Sequence, residues 1–367
     1  MCCSWFWWWK RDIVISGEET REPSFIQCYN GSRIVSFTSP KEGWFTNFRD
    51  DGFHVFRLAL VPIQKIITHI ILNKILKIMQ IISGSSNPLL AKKIAQNTGY
   101  KLLNTKIQNF SDGELRVEIQ DAIGSDVIIV QSTSHPANDH LIELLLLVDT
   151  ARRAGAANIT AIIPYFGYSR QDRCTYKHGP ISASLVVKMI EIAGITKIIT
   201  LDLHSKQLEG LFNIPIINLD PASIFFPIYK DNANIIIVSP DIGGIARARN
   251  FSSLLGKDLA IINKTRDNDN ECFMSEIIGH VKGKKCIIVD DIVDSGGTLC
   301  KAANLLKDNG ALSIEAYITH AVLSGEAQEK IMLSQIDKIF VSDSIYHKSL
   351  PAKFVTINID ELISFGL

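Results

Sequence analysis

From Met79 onward, short runs rich in β-branched residues alternate with longer segments of helical periodicity, and this alternation strongly constrains the fold. MQIIS precedes PLLAKKIAQNTG, DVIIVQS precedes LIELLLLVDTARRAG, and NITAIIPY precedes ISASLVVKMIEIAG. Four further runs, KIITLDL, NIIIVSP, KKCIIVDD and IEAYITH, continue the pattern. Continuous apolar strands joined by helices are typical of parallel sheets buried on both faces. The sequence therefore predicts a doubly wound α/β fold with mainly parallel sheets.

The length of 367 residues allows two domains that each bury a core of their own. We place a boundary near residue 225. The predicted organisation is an N-terminal α/β domain at 79–225 and a C-terminal α/β domain at 226–367, preceded by an atypical extension at 1–78.

Residues 1–78 differ from the rest of the chain, since all five tryptophans lie within the first 44 residues. We favour a translated region upstream of a true start at Met79. A presequence is a second interpretation, but the extension contains more acidic residues than transit peptides do. A third is an amphipathic surface anchor at 63–78. Charged residues in the apolar stretch 58–77 argue against a membrane-spanning helix, and no membrane contact is expected.

The charge balance excludes several classes of partner. Lys plus Arg and Asp plus Glu both total 38, so no global field favours nucleic acid or an anionic membrane. The seven cysteines form no CxxC pair, which suits free thiols in a reducing compartment. We expect a cytoplasmic protein that binds its anionic ligands locally.

In doubly wound sheets, ligands bind beyond the carboxyl ends of the strands. The apolar strand 287–289 is predicted to end in Asp290 and Asp291, and Ser295-Gly-Gly-Thr298 then leads into a helix near Leu299. Glycines and a helix N-terminus suit a sugar 5-phosphate, and Asp290, Asp291 and Asp294 suit ribose hydroxyls. The alternative is a capped turn with solvated acids.

A nucleotide site needs a device other than a Walker loop, because no G-x-x-x-x-G-K-[ST] occurs. Arg170-Gln171-Asp172-Arg173 follows a predicted strand and supplies groups suited to a triphosphate and a purine, although a solvated loop is the alternative.

His204 and Asp241 also follow strands and together suit a hard cation such as Mg²⁺. Alone, such a histidine is more often a structural hydrogen-bonding residue.

The polar stretch between Ile262 and Phe273 carries the cations Lys264 and Arg266. It is predicted to be a mobile loop. A solvated hairpin is the default interpretation. The functional one is a lid that brings positive charge to a phosphoryl transition state.

Together these residues give the stretch from Met79 to about Ile363 a specific resemblance. It resembles the class I ribose-phosphate pyrophosphokinases through seven landmarks in the family's order. These are Phe110-Ser-Asp-Gly-Glu114, Gln131-Ser-Thr-Ser134, Tyr168-Ser-Arg-Gln-Asp-Arg173, Leu201-Asp-Leu-His204, Ser239-Pro-Asp-Ile-Gly-Gly244, Lys264 with Arg266, and Asp290 to Thr298.

The resemblance implies two tandem phosphoribosyltransferase-type domains that transfer the β,γ-diphosphoryl group of ATP to the 1-hydroxyl of ribose 5-phosphate. It implies Mg²⁺ as the cofactor and a homohexamer with ATP sites shared between subunits. The implied catalytic residues are Lys264 and Arg266, and the metal residues are His204 and Asp241. The implied ATP contacts are Phe110, Asp112, Glu114, Arg170, Gln171, Asp172 and His204. The implied ribose 5-phosphate contacts are Asp290, Asp291, Asp294, Ser295, Gly296, Gly297 and Thr298.

Three segments depart from the family's pattern. Residues 119–126 are one residue short and lack the Ser and Arg of the usual phosphate/ADP site, and the tail ends early at Leu367. Regulation of the usual kind is therefore in doubt. The lid has Thr265 and residues 267–270 where relatives are more basic, which predicts slower turnover.

Two rival functions remain open. A phosphoribosyltransferase uses the same kind of loop but needs only one such domain. A catalytically silent regulatory subunit would share the fold, but it need not keep His204, Asp241, Lys264 and Arg266.

Overall fold

A computed structural model of the chain describes residues 26–30, 33–37, 79–174, 176–229, 234–266 and 272–367. The chain divides into two compact units, Met1–Lys77 and Ile78–Leu367. In the first unit, β1 (Ile26–Asn30) and β2 (Arg33–Phe37) form an antiparallel hairpin. The predictions about residues 58–78 lie outside the described residues.

The second unit contains a six-stranded parallel sheet in its N-terminal part. Its spatial order is β10, β9, β8, β7, β3, β4, and every neighbouring pair is parallel. The strands are β3 (Gln80–Ser83), β4 (Lys101–Leu102), β7 (Asp126–Val130), β8 (Asn158–Ile163), β9 (Lys197–Leu201) and β10 (Ile216–Leu219). The helices of this part are α1 (Pro88–Thr98), α2 (Ala137–Arg153) and α3 (Ser182–Ala193). A separate antiparallel hairpin consists of β5 (Thr105–Asn109) and β6 (Leu115–Ile119).

The C-terminal part contains a seven-stranded sheet in the order β13, β12, β11, β14, β15, β16, β17. All pairs are parallel except β12 with β13. The strands are β11 (Ile235–Ser239), β12 (Asp258–Arg266), β13 (Cys272–Ile278), β14 (Lys285–Val293), β15 (Ser313–Ala321), β16 (Lys338–Ser342) and β17 (Phe354–Ile357). The helices are α4 (Ala222–Tyr229), α5 (Ile245–Leu255), α6 (Gly297–Asp308), α7 (Ala327–Leu333) and α8 (Asp360–Phe365).

The turn into α1 shows how local sequence fixes an element of this fold. The Asn87 side chain accepts the backbone N–H of Leu90 at 3.2 Å, and Pro88 occupies the start of the helix, where a missing N–H costs nothing. Gly99 ends the helix with a φ of 71°, in the left-handed region that glycine tolerates. The apolar face between these two signals then packs on the sheet through Leu90 and Ile94.

Each sheet is covered on both faces, as its continuous apolar runs require. Ile81 and Ile82 are both fully buried, yet they belong to different apolar clusters, because successive strand residues point to opposite faces. Ile287 and Ile288 are divided in the same way in the second sheet. Burying one such side chain stabilises the fold by roughly 1.5–3 kcal/mol, so both faces contribute to each core.

The observed strands agree with those predicted from the sequence, whereas one predicted loop and the predicted domain boundary do not coincide with the observed connections. All seven apolar runs form parallel strands, which confirms the predicted fold class. A loop was predicted between Ile262 and Phe273, but the residues up to Arg266 belong to β12 and pair with β13 in antiparallel register. The boundary predicted near residue 225 falls inside α4, whose buried residues pack on the second sheet.

Candidate active site

The carboxyl ends of strands from both sheets surround a cleft of about 930 Å³. Cations, carboxylates and a glycine-rich loop line it. Many of the residues predicted as ligand contacts are among its lining residues: Arg170, Asp172, His204, Asp241, Asp290, Asp291, Asp294, Ser295, Gly296, Gly297 and Thr298. The fold therefore brings predicted nucleotide, metal and sugar-phosphate residues into one space.

The glycine-rich loop connects β14 to α6. The helix begins at Gly297, two residues before Leu299, near which its start was predicted, and Gly296 caps it with a φ of 75°. Only glycine adopts this left-handed conformation without strain. The backbone N–H groups of the first helical turn and the positive end of the helix dipole lie at the cleft, an arrangement that suits a phosphate group.

Asp290 and Asp291 lie within β14 and not at its end as expected, because β15 pairs with β14 as far as Val293. The two carboxylates have different partners. Asp291 Oδ2 lies 2.7 Å from His204 Nδ1, and its Oδ1 lies 3.3 Å from Arg247 Nη1. Asp290 Oδ1 accepts the backbone N–H of Asp291 at 3.0 Å and lies 3.9 Å from Arg247 Nη1.

These environments shift the pKa values of the two carboxyls in opposite directions. Burial and the neighbouring Asp291 raise the pKa of Asp290 well above its usual range. Burial alone would raise the pKa of Asp291 too, but the hydrogen bond from His204 and the charge of Arg247 outweigh it and lower that pKa. The hydrogen bond to Asp291 raises the pKa of His204. Asp291 is therefore the ionised member of the pair, with the imidazole of His204 on one carboxylate oxygen and the guanidinium of Arg247 on the other.

Sequence reasoning missed Arg247, which is the third residue of α5 and lines the cleft. Its Nε lies 3.0 and 3.1 Å from the two carboxylate oxygens of Asp202, directly beyond β9. The sequence could have predicted the position of Arg247 at the strand ends, because it lies in the first turn of the helix that directly follows Asp241-Ile-Gly-Gly244. Its partners could not be predicted, because they come from distant parts of the sequence.

The Arg170–Arg173 segment reaches the glycine-rich loop. Arg170 Nη1 lies 2.6 Å from Asp294 Oδ2, and the Ser324 hydroxyl also donates to Asp294. Asp172 accepts a hydrogen bond from Ser205 Oγ at 2.8 Å. Gln171 is not among the residues that line the cleft, and its side chain accepts a bond from Ser182 Oγ at 2.5 Å. Two of the three predicted contacts in this segment thus face the shared space.

His204 and Asp241, the predicted metal residues, both line the cleft. Asp241 Oδ1 accepts the backbone N–H of Gly244 at 2.9 Å, while His204 uses Nδ1 for Asp291 and keeps Nε2 for another partner. Within the described ranges, no group of three or more His, Cys, Asp or Glu side chains is placed to hold a metal ion. So small a donor set fits magnesium, which commonly binds through one or two protein groups, waters and substrate phosphates.

Five other residues that were predicted to act in catalysis or ATP binding are not among the described lining residues of the cleft. Lys264 and Arg266 are among the last three residues of β12, which follow an irregularity in the pairing of β12 with β13. Their side chains are outside the part of the chain that the structure describes. Phe110, Asp112 and Glu114 lie at the end of the β5–β6 hairpin and are not among the cleft residues. Phe110 is 51% exposed there.

The fold and the cleft define a class: tandem α/β domains of phosphoribosyltransferase type with ligand groups at the strand ends. Two family models match consecutive parts of the chain. The N-terminal domain of ribose phosphate pyrophosphokinase matches residues 79–194, and the phosphoribosyl transferase domain matches residues 208–350.

Similar proteins of named function and one similar crystal structure identify the family within this class. The chain is 47% identical over 269 residues to the ribose-phosphate pyrophosphokinase of Helicobacter hepaticus, covering 72% of this chain and 87% of that protein. It is 44% identical over 290 residues to that of Thermosipho africanus, covering 78% and 92%. The crystal structure of phosphoribosylpyrophosphate synthetase from Mycobacterium smegmatis matches with a TM-score of 0.73 and 31% identity, covering 79% of this chain and 97% of that one. The chain therefore belongs to the ribose-phosphate pyrophosphokinase family.

Proposed function

We propose that this cleft transfers the β,γ-diphosphoryl group of ATP to the 1-hydroxyl of ribose 5-phosphate, giving 5-phosphoribosyl 1-pyrophosphate and AMP for nucleotide biosynthesis. The observation that carries the proposal is the 2.6 Å contact between Arg170 of the predicted nucleotide segment and Asp294 of the sugar-phosphate loop. Two substrates held by these neighbouring groups would lie side by side, which is the first requirement of direct transfer.

The acceptor site is built on β14 and α6. The backbone of Ser295 to Thr298 receives the 5-phosphate at the helix N-terminus, where its charge is favoured. Asp290, Asp291 and Asp294 accept hydrogen bonds from ribose hydroxyls and orient the ring. The donor site uses Arg170, Asp172 and His204 of the cleft for ATP, and Gln171, whose side chain accepts a hydrogen bond from Ser182 outside the cleft, is the fourth predicted contact.

The transfer balances without a covalent enzyme intermediate. The 1-hydroxyl oxygen attacks the β-phosphorus, the bond from that phosphorus to the α-phosphate oxygen breaks, and AMP leaves while the hydroxyl proton passes to solvent. Such a reaction depends on alignment and charge neutralisation more than on a strong base, so no general base is assigned. Lys264 and Arg266 supply positive charge to the transferring group when the lid closes.

His204 and Asp241 are the residues proposed to hold Mg²⁺ together with the ATP phosphates. A Mg²⁺ ion held by these residues would neutralise phosphate charge during the transfer. The side chains themselves contribute by orientation, since His204 is fixed by Asp291 and Asp241 by the backbone of Gly244.

The proposed assembly is a homohexamer in which Phe110, Asp112 and Glu114 reach the ATP of a neighbouring subunit. Their position on an exposed hairpin, away from the cleft of their own chain, supports this role. In the part of the chain that the structure describes, no helix has the length and apolar character needed to cross a membrane. The proposed location, from the sequence argument above, is the cytoplasm.

The test is AMP formation from ATP, Mg²⁺ and ribose 5-phosphate by the purified chain, measured by chromatography. We expect AMP and 5-phosphoribosyl 1-pyrophosphate in equal amounts, and no AMP when ribose 5-phosphate is omitted. Lys264→Ala should lower turnover by orders of magnitude with little change in ATP binding. Absence of AMP at every phosphate concentration would refute the proposal and favour a silent subunit. Consumption of 5-phosphoribosyl 1-pyrophosphate with a base would favour a phosphoribosyltransferase.

A further inference from the structure

We propose that Arg247 is a positioning residue for ribose 5-phosphate: it holds Asp290 and Asp291 in the orientation that receives the sugar. The inference rests on the proposed function, because it deepens the role of the same acceptor site. Its basis is the position of one largely buried guanidinium among carboxylates from two parts of the second unit.

The Arg247 side chain is only 18% exposed and has carboxylate partners at both ends of its guanidinium. Nε donates to Asp202, and Nη1 lies 3.3 Å from Asp291 and 3.9 Å from Asp290. Charged hydrogen bonds to a planar fork restrict both partners in orientation as well as in distance. One side chain thus links the end of β9 to both carboxylates of β14.

Asp202 is itself fixed, so it serves as the anchor of this arrangement. Its backbone has a φ of 44°, in the left-handed region, and Thr319 Oγ1 donates to its Oδ2 at 2.5 Å. Because Thr319 and Arg247 hold the same carboxylate, the Nε end of the guanidinium cannot swing freely. The Nη1 end therefore stays directed at Asp290 and Asp291.

The charge balance explains why the acid pair needs such a residue. Asp241, Asp290 and Asp291 line the part of the cleft that is to receive an anionic sugar phosphate, and Asp202, on the Nε side of Arg247, adds a fourth carboxyl group. Loss of the guanidinium would leave Asp202 and Asp291 with one fewer cation and would remove an ionic contact of Asp290, which keeps the hydrogen bond from the backbone N–H of Asp291. Both effects act directly on the acid pair and reach ATP only through His204, so they weaken binding of ribose 5-phosphate more than binding of ATP, whose other proposed contacts lie on the Arg170 segment.

Lysine cannot replace arginine in this geometry. Its single ammonium nitrogen cannot serve Asp202 and the acid pair from two separate atoms, although it keeps the positive charge. The informative variants are therefore Arg247→Met, which removes charge and fork, and Arg247→Lys, which removes only the fork. Arg249→Met is the matched control, since Arg249 is exposed on the same helix and does not line the cleft.

The experiment uses the full chain and measures KM for ribose 5-phosphate, KM for ATP, kcat and the melting temperature. Calorimetric titration of ribose 5-phosphate without ATP gives an independent readout. We expect Arg247→Met to weaken ribose 5-phosphate binding by about 10- to 100-fold, the loss that one charged hydrogen bond implies. Arg247→Lys should lie between this variant and the parent, Arg249→Met should match the parent, and KM for ATP should change by less than about threefold.

Two results would overturn the proposal. One is ribose 5-phosphate affinity within twofold of the parent in Arg247→Met or, where that variant does not fold, in Arg247→Lys. The other is an equal loss of affinity for both substrates together with a lower melting temperature, which would indicate a purely structural role. A parent that forms no AMP would refute the proposed function, while the titration would still decide the role of Arg247. A parent that binds no ribose 5-phosphate would overturn both.

Discussion

His204 Nδ1 lies 2.7 Å from Asp291 Oδ2, although His204 follows β9 of one sheet and Asp291 lies in β14 of the other. The carboxylate is 7% exposed, and the guanidinium of Arg247 lies on its other oxygen. A buried carboxylate held by an imidazole and a guanidinium is a fixed element of the cleft, so the bond sets the orientation of the imidazole as well as that of the acid pair.

Asp291→Asn tests this element. The amide keeps the shape but loses the charge that holds His204 and Arg247, so we expect the rate of AMP formation to fall about 10- to 100-fold. Steady-state assays at saturating ATP measure this loss. Asp308→Asn, at an exposed position on α6, is the control and should retain the parental rate. Equal rates for Asp291→Asn and the parent would remove Asp291 from the mechanism.

The Arg170–Asp294 contact predicts competition between Asp294 and ATP phosphates for the same guanidinium. The pair is 47% and 33% exposed, so its own contribution to stability should be below about 1 kcal/mol. Asp294→Asn frees Arg170 and should lower KM for ATP by about two- to fivefold, whereas the same change in an Arg170→Met background should leave it unaltered. A double-mutant cycle on KM measures this coupling, and independent effects of the two substitutions would disprove it.

Local pattern predicted the strands, the strand-end positions and the loop at Ser295 to Thr298, because each is encoded within a few residues. The length of β14 was not predictable in this way, since its last residues are strand only through pairing with β15. The end of β12 was assigned to the polar loop for a similar reason, although a solvated hairpin was the default interpretation of this stretch. Its polar residues resemble a loop until an antiparallel partner satisfies their backbone groups.

The contacts inside the cleft depended on three-dimensional packing. Arg247 and Asp202 are 45 residues apart in sequence, and Thr319 is 117 residues from Asp202. Spacing in the sequence carries no sign of such partners. Asp290 and Asp291 are neighbours in one strand whose side chains face opposite ways, and only the fold shows that Asp291 is the one bound by His204.

Gly296→Ala should affect both stability and substrate binding. A side chain at a φ of 75° costs roughly 1–2 kcal/mol, and the added methyl group would lie 3.4 Å from the backbone oxygen of Ala327. We expect a lower free energy of unfolding and a raised KM for ribose 5-phosphate. Gly256→Ala, at a φ of 61° with open space around it, is the control that should lose stability alone. Denaturant unfolding and substrate kinetics separate the two effects, and unchanged KM in Gly296→Ala would contradict the role of the loop.

The described cysteines should differ in their rate of alkylation according to how deeply their thiols are buried. Burial raises the pKa of Cys286 to about 11, so at pH 8 only about one thiol in a thousand is ionised, and the residue is fully buried in β14. Cys174 is exposed. Timed alkylation followed by peptide mass spectrometry should show modification at Cys174 in the folded protein and at Cys286 only after unfolding. Early modification of Cys286 would mean that the second sheet opens under native conditions.

The contact between Lys93 and Asp343 predicts a pH dependence of stability. Lys93 Nζ lies 3.0 Å from Asp343 Oδ2, yet burial outweighs this attraction and raises the pKa of Asp343 above its ordinary value. The folded state then holds the proton more tightly than the unfolded state. The contribution of this proton to stability is complete below the ordinary carboxyl pKa of about 3.9 and is lost as pH rises through the higher folded value.

Asp343→Asn does not titrate at this position and serves as the reference for that prediction. The free energy of unfolding of the parent minus that of the variant should fall as pH rises from about 4 and become constant once Asp343 is ionised in both states. Urea unfolding of both proteins across this range measures the difference, and other titrating groups cancel because both proteins share them. A difference that grows with pH would mean that Lys93 lowers the pKa of Asp343 more than burial raises it, and that the pair stabilises the packing of α1 against the C-terminal part of the chain.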